Sequence, residues 1–303
     1  MSQKSRKPAK TFYRSEDAIA TAVAAALLLG IIIAFITNIQ VNYVPEWKED
    51  AEYEHMSEVW EDMARLKSNA DILSAGLVIS PDYRISLSSP IRMGGGDLPV
   101  VGRMKSGGTL TINTQGNWME VNITTDNSSS NPVPNPNKFK CGSITYHSSN
   151  IEYIDQTYCY ENGALIVSQN DRSLMKLSPS ISLEAPNSSY INFTVTAISL
   201  EGNSGVLSSN SVEEIKFTSE SLEPIYTTDP SIKVNSVSMT IFTEKPEAWA
   251  TYLNNSIENA NLYSGDYTMS KNESDVLLEL HPTGKTLNVN IHKAELKTET
   301  GIQ

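Results

Sequence analysis

The chain has 303 residues, and 23 Lys and Arg stand against 35 Asp and Glu, for a formal charge of −12. That balance excludes a nucleic-acid partner for the bulk of the protein, because phosphate binding needs basic patches. The mean hydropathy of −0.28 would pass for an ordinary soluble protein, but it averages over segments of opposite character, and the length allows one to three domains.

Residues 1–17 form a basic leader in which Lys4, Arg6, Lys7, Lys10 and Arg14 are clustered. Ala18 to Ile36 then reads AIATAVAAALLLGIIIAFI, 19 residues without a charge. As a helix this covers roughly 28 Å, close to the hydrocarbon thickness of a bilayer. Thr21 can bond back to a carbonyl of the preceding turn. A cleaved secretory signal is the main rival, but its apolar region usually spans only about 7 to 15 residues and ends at a small-x-small site. Here the apolar run is longer and passes into Thr37, Asn38, Gln40 and Asn42 without such a site. Residues 18–37 are therefore read as a retained, single-pass transmembrane helix whose partner is the lipid bilayer. The positive-inside rule keeps the leader cytoplasmic and places the rest outside the cell. Tyr43 and Trp47 suit an interfacial aromatic belt or, equally, local packing.

Residues 38–75 predict a juxtamembrane amphipathic helix. Tyr53, Met56, Val59, Trp60, Met63, Leu66, Ala70 and Leu73 recur mostly at intervals of three and four. Pro45 suits a first turn, so the helix either restarts there or bends. Nine acidic residues against three basic ones over 46–73 give an acidic face, read as a solvated projecting stalk or as a packing surface for neighbouring subunits. Gly76 is the expected terminator.

From 76 to 303 the chain breaks into short alternating runs divided by Gly, Pro, Asn and Ser. Expected strands are Tyr83–Leu87, Thr109–Thr114, Trp118–Ile123, Gly142–Tyr146, Gln156–Tyr160, Ala164–Ser168, Ser180–Glu184, Tyr190–Ser199, Glu213–Thr218, Ser236–Thr243 and Thr286–His292. The pattern predicts antiparallel sheets with one covered face. A linker over 126–137, DNSSSNPVPNPN, divides this region into two candidate lobes. Asn162–Gly163 is a hairpin turn signal. One further helix is expected over Pro246–Leu262, with Trp249 in the core. The fold class is thus α+β: one transmembrane helix, its amphipathic extension, and an antiparallel β-sandwich-like extracellular domain with one additional helix.

Cys141 and Cys159 are the only cysteines. Export makes a disulfide between them the leading reading, with two unpaired buried thiols as the alternative. Six Asn-x-Ser/Thr acceptor signals occur, at Asn122, Asn127, Asn187, Asn192, Asn254 and Asn272, all beyond the membrane segment. No catalytic, cofactor or metal constellation stands out. His55, His147, His281 and His292 are scattered and read as surface or lightly packed residues. No nucleophile elbow or phosphate loop is present, and MGGGD at Met93–Asp97 reads as a loop.

The segment EDAIATAVAAALLLGIII resembles the N-termini of archaeal type IV pilins and archaellins, in particular the larger pilin-like membrane proteins of that class. YCYENGALIVSQ, Tyr158 to Gln169, is similar to a strand–turn–strand segment in their β domains. The resemblance implies an apolar helix that packs into a filament core beside other pilin-like subunits. It also implies leader cleavage at Ala18|Ile19, with Ser15|Glu16 as the second site, although Asp17 stands where that family usually has a basic residue. Ala20, Ala22, Ala24, Ala25, Ala26 and Gly30 would allow close helix approach, and Ala20, Ala24 and Gly30 are taken as the assembly face. The expected function is a structural or interaction protein of the cell surface, not an enzyme and without a cofactor. The alternative is a binding module for a surface glycan or exported solute, with an aromatic patch supplied by Trp118, Tyr146 or Trp249.

Overall fold

The apolar run and the amphipathic run form one rod in the structure, a computed structural model that describes residues 13–82, 84–94, 97–98, 102–103, 106–126 and 137–301. The leader through residue 12, the glycines 95–96, Asn127 and most of the 126–137 linker lie outside the described residues. Helix α1 (Tyr13–Asn38) passes through one π-helical turn, Ile39–Tyr43, into α2 (Val44–Ile79). The π turn accounts for Pro45. A proline lacks the N–H of the helical ladder and its ring crowds the carbonyl four residues back, and a widened turn just ahead absorbs both defects. The rod thus continues through Pro45, and it ends at Ser80, whose N–H bonds to Gly76 O. Gly76 is inside the last turn, not beyond it.

Among the described residues eighteen strands follow in chain order: β1 (Ser86–Arg92), β2 (Asp97–Leu98), β3 (Gly102–Arg103), β4 (Gly107–Ile112), β5 (Trp118–Thr125), β6 (Lys138–Lys140), β7 (Ser143–Ser149), β8 (Thr157–Glu161), β9 (Ala164–Gln169), β10 (Arg172–Leu177), β11 (Ile181–Asn187), β12 (Tyr190–Glu201), β13 (Gly205–Ser209), β14 (Val212–Thr227), β15 (Val234–Phe242), β16 (Tyr267–Lys271), β17 (Asp275–Leu280) and β18 (Thr286–Thr300). Helix α3 (Pro246–Asn259) lies between β15 and β16. Three large sheets result, ordered β1-β14-β18-β12-β11, β10-β9-β8-β7-β4-β13 and β16-β17-β15-β5-β6, with β2-β3 a small ribbon.

The sheets are not wholly antiparallel. β12 and β18 pair in parallel from Tyr190↔Thr286 to Glu201↔Lys297. Parallel neighbours need a long crossover, and here the chain between them traverses all three large sheets. Covered strands lose the strict alternation of half-exposed ones, and β12 shows this at Ala197–Leu200, where four successive residues are buried. Pro224 interrupts β14 beyond Thr218, the last residue paired with β1, at a register shift against β18. There its missing N–H costs no ladder bond on the open side.

Two cores result. One gathers β5, β15, β17 and α3 with Ile191, Phe193, Val289 and Ile291. The other packs Met56, Val59, Met63, Leu66, Ala70, Leu73 and Leu77 of α2 against Leu110, Tyr146, Tyr160, Phe217 and Leu296. β12 and β18 run through both, so neither core coincides with one side of the 126–137 segment. The hairpin β8–β9 turns on Asn162 and Gly163, at φ 46° and 78°. Both residues need positive φ in a two-residue turn of this kind, which explains the Asn-Gly pair.

Candidate functional site

The first candidate surface is the helix that leaves the domain. From Ile19 to Asn38 every residue of α1 is exposed, including Leu27 at 65% and Phe35 at 67%. This is one helix long and apolar enough to cross a membrane among the described residues. Its apolar residues surround the axis, so no polar stripe marks a face for a soluble core. Tyr43 and Trp47 are also exposed, with ring centroids 6.3 Å apart. Ala20 and Ala24, one turn apart, share a face, but at about 100° per residue Gly30 sits about 120° around the axis from Ala24. The three residues are therefore two patches, not one stripe.

Where the rod meets the domain its character changes. The stretch expected as a projecting stalk lies against β1, β14, β18 and β8, and polar residues on its buried side hold it there. Glu52 is buried, and its carboxylate accepts the backbone N–H groups of Ile151, Glu152 and Tyr153 at 2.8–2.9 Å. Asp62, also buried, accepts Arg92 N at 3.1 Å and the Arg92 guanidinium at 3.0 Å through both oxygens, while Glu58 takes Arg92 Nη1 at 2.8 Å. That pairing raises the Arg92 pKa further. His55 is buried, not lightly packed at the surface. Its Nε2 lies 3.2 Å from Tyr146 Oη, and burial lowers its pKa against the opposing pull of Glu58.

A second polar centre lies in the other core. Glu161, at the end of β8, is buried and accepts Asn117 Nδ2 at 2.5 Å, Thr243 Oγ1 at 2.6 Å and Trp249 Nε1 at 2.5 Å. It thereby ties the β8–β9 hairpin to the segment before β5, the end of β15 and the first turn of α3. Burial raises its pKa and the three donors only partly oppose this.

Cys141 and Cys159 border this centre as free buried thiols, which corrects the expected disulfide. The register supplies the reason. Cys159 faces Thr145 across the β7–β8 ladder, four residues beyond position 141, and the chain bends at Gly142 between them with φ 75°. A Cβ at Gly142 would sit 2.5 Å from Asn113 Oδ1, so the bend is fixed by close packing. Cys159 instead approaches Thr145 Oγ1 at 3.3 Å and Glu161 Oε2 at 3.8 Å. Burial drives both thiols away from the thiolate form.

The acceptor asparagines separate by environment. Asn187, Asn254 and Asn272 are exposed, at the end of β11, on α3 and in the β16–β17 turn. Asn122 and Asn192 are half-buried on strands, where Asn122 Oδ1 accepts from Asn137 at 2.6 Å and Asn192 Oδ1 from Asn288 at 2.9 Å. Asn127 lies outside the described residues.

The aromatic patch expected from Trp118, Tyr146 and Trp249 does not form. Tyr146 and Trp249 are fully buried, and Trp118, 37% exposed, lies under Lys138 Nζ. Aromatic side chains do converge elsewhere, between α2 and β8. There Tyr53 meets Tyr153 edge-on at 5.6 Å, and Trp60 meets Tyr158 at 6.2 Å. Among the described residues no group of three His, Cys, Asp or Glu side chains could hold a metal ion.

A family described as a family of unknown function, DUF7289, matches residues 18–297. No curated protein and no solved structure matches the chain.

Proposed function

The chain belongs to the DUF7289 family, and for it we propose a cell-surface structural or interaction role, mechanical and not catalytic, as a pilin-like subunit or a tethered ectodomain. The helix over 18–37 anchors in the bilayer or packs with the helices of other pilin-like subunits, the N-terminus stays cytoplasmic, and the domain is displayed outside the cell. The observation that carries this reading is the contrast along one rod: the apolar residues from Ile19 to Ile36 touch no part of the domain, whereas from Glu52 onward the same rod is packed into it. Exposed apolar surface of that extent is stable in lipid or against other helices, not in water. The free thiols remove covalent bracing from the picture, so the domain relies on its two cores.

The test uses the full chain in native membranes. Resistance to alkaline carbonate extraction, digestion of the domain by protease added to whole cells, and a mature N-terminus at Ile19 are expected for a processed pilin-like subunit. Carbonate release would overturn the anchor, and protection from external protease would overturn the orientation. An intact leader with monomeric protein after gentle extraction would leave a tethered ectodomain and remove the filament role.

A further inference from the structure

We propose that the aromatic groove between α2 and β8–β10 is a binding site for a short acidic saccharide. The groove is a cavity of about 410 Å³ whose walls include Tyr53, Trp60, Tyr153, Tyr158, Gln156 and Lys176. Its size falls in the range of about 300–1,000 Å³ usual for small-ligand sites. Its rings come from three places in the chain, with Tyr53 and Trp60 on the helix, and the two places beyond the helix are each held to it. The 151–153 backbone is clamped by Glu52, as described above. Tyr158 Oη donates to Gln156 Oε1 at 2.8 Å and lies 3.2 Å from Met56 O, which fixes the floor ring against the helix. Burial raises the Tyr158 hydroxyl to about 12, so it stays a neutral donor. Tyr53, Trp60 and Tyr153 keep part of their ring surface open at the groove above the buried Tyr158, and preorganised rings lower the cost of ordering a ligand.

The polar lining selects the ligand class. Gln156 Oε1 is occupied by Tyr158, which leaves its Nε2 without a described partner. Lys176 Nζ makes no ion pair with a described residue. The groove adjoins, over Val167 and Lys176, a larger depression of about 730 Å³ that also carries Arg172, Leu174 and Asp171. Arg172, likewise without an ion pair to a described residue, is on the same exposed face of β10 as Lys176, about 13 Å away along the strand. Two cations without an ion pair to a described residue, in line beside edge-on and tilted rings on a chain of net charge −12, fit a ligand with C–H faces for the rings and carboxylates for the cations. Past Arg172 the surface turns acidic, with Glu244, Glu247 and Glu273 around the next depression, which limits the site to a few sugar units. A neighbouring protein helix would bring apolar side chains and meet these unpaired donors without satisfying them.

The site does not depend on the membrane reading, so it is tested with the full chain in detergent micelles by isothermal titration of trigalacturonic acid, with neutral maltotriose as the comparison. Tyr53 is 58% exposed and Lys176 is on an edge strand, so Tyr53→Ala and Lys176→Gln leave the fold intact, as near-ultraviolet circular dichroism verifies. Binding of the acidic trisaccharide is expected, weakened about tenfold by either substitution and reduced by salt. Equal affinity for maltotriose would overturn the acidic class. Absence of binding, or affinity indifferent to both substitutions, would overturn the site. Self-association abolished by Tyr53→Ala without saccharide binding would assign the groove to a second copy of the chain instead.

Discussion

Between Ile19 and Ile79 one rod shows two environments, and they differ in what each side chain meets. Leu27 and Leu66 are the same residue on the same helix, yet Leu27 is 65% exposed and Leu66 is 0% exposed. The first half, Ile19 to Ile36, is uncharged and exposed along its whole length. The second half mixes apolar with charged residues and is packed against two sheets. Composition alone therefore reverses the usual inference: the less hydrophobic half is the one in the core, because its charges are either on the open side or satisfied by partners, as Glu52 and Asp62 are. From Ile19 to Ile36 the apolar half carries no charge that would need such a partner.

The sharpest way to break this comparison is to shorten the same side chain in both halves. Leu66→Ala should cost about 2–5 kcal/mol of domain stability, from lost burial plus the cavity left between α2 and the sheets. Leu27→Ala should stay within about 0.5 kcal/mol, since it removes no contact with the domain. Denaturant unfolding of both variants in the same detergent, followed by near-ultraviolet circular dichroism, separates the two. Equal losses would mean the exposed half supports the domain after all.

A smaller effect probes the charges. Asp62→Ala strips the Arg92 backbone N–H and guanidinium of their buried acceptor and should cost about 2–3 kcal/mol, held down because Arg92 is part-exposed and keeps Glu58. Glu49→Ala, on the exposed stretch before the domain, should change little, and a comparable loss there would contradict the division at Glu52. Glu52→Ala acts more locally. It frees three backbone donors in the 151–153 loop, so amide exchange of Ile151, Glu152 and Tyr153 should accelerate by at least about tenfold, as expected for loss of about 1.5 kcal/mol or more of local protection. Unchanged exchange would remove the clamp from the account of the groove.

Much of this was legible in the sequence, and the exceptions have physical causes. The apolar helix follows from an uncharged run of bilayer length, and the β8–β9 turn from Asn162–Gly163. The docking of α2 is also written in the spacing: the intervals 3, 4, 3, 4 through Met56, Val59, Met63, Leu66 and Ala70 extend back by four to Glu52, and the parallel row through Val59 and Leu66 takes in His55 and Asp62. Reading the charges as a solvated face hid this, because a buried carboxylate is rare unless partnered and its partners, the 151–153 backbone and Arg92, are distant in sequence. Strands β10 and β17 are not among the expected ones, although both alternate in burial, because each is only six residues long and carries an apolar residue on its more open face, Leu174 and Leu277, which blurs the period. The parallel β12–β18 pair and the Glu161 centre depend on contacts across about a hundred residues, which no local pattern encodes. The disulfide failed at the same level, since compartment chemistry permits a bond that strand register does not bring about.

The smallest predicted effect is the response to pH, and it separates the two cores because their buried titratable groups act with opposite sign. His55 lies in the α2 core, faced by Tyr146 Oη and by Glu58, Arg92, Asp62 and Glu52, with its pKa lowered from 6.5 by burial. The unfolded chain therefore binds the proton more readily. The stability contributed by neutral His55 is fully present above pH 6.5, begins to be lost below it, and is gone once the pH has fallen through the folded value. Glu161 in the other core has its pKa raised from 4.5, again by burial first, so its contribution is fully present below pH 4.5 and is lost as the pH rises through the folded value. Thermal midpoints measured from about pH 4 to 8 should show His55→Gln flattening only the limb below 6.5 and Glu161→Gln only the limb above 4.5. If His55→Gln runs parallel to the parent protein across that range, the imidazole is not held neutral at the helix interface. The rod would then meet the sheets through its apolar residues, the carboxylates of Glu52, Glu58 and Asp62, and Asn69, which donates to Ser88 O and Ser89 Oγ.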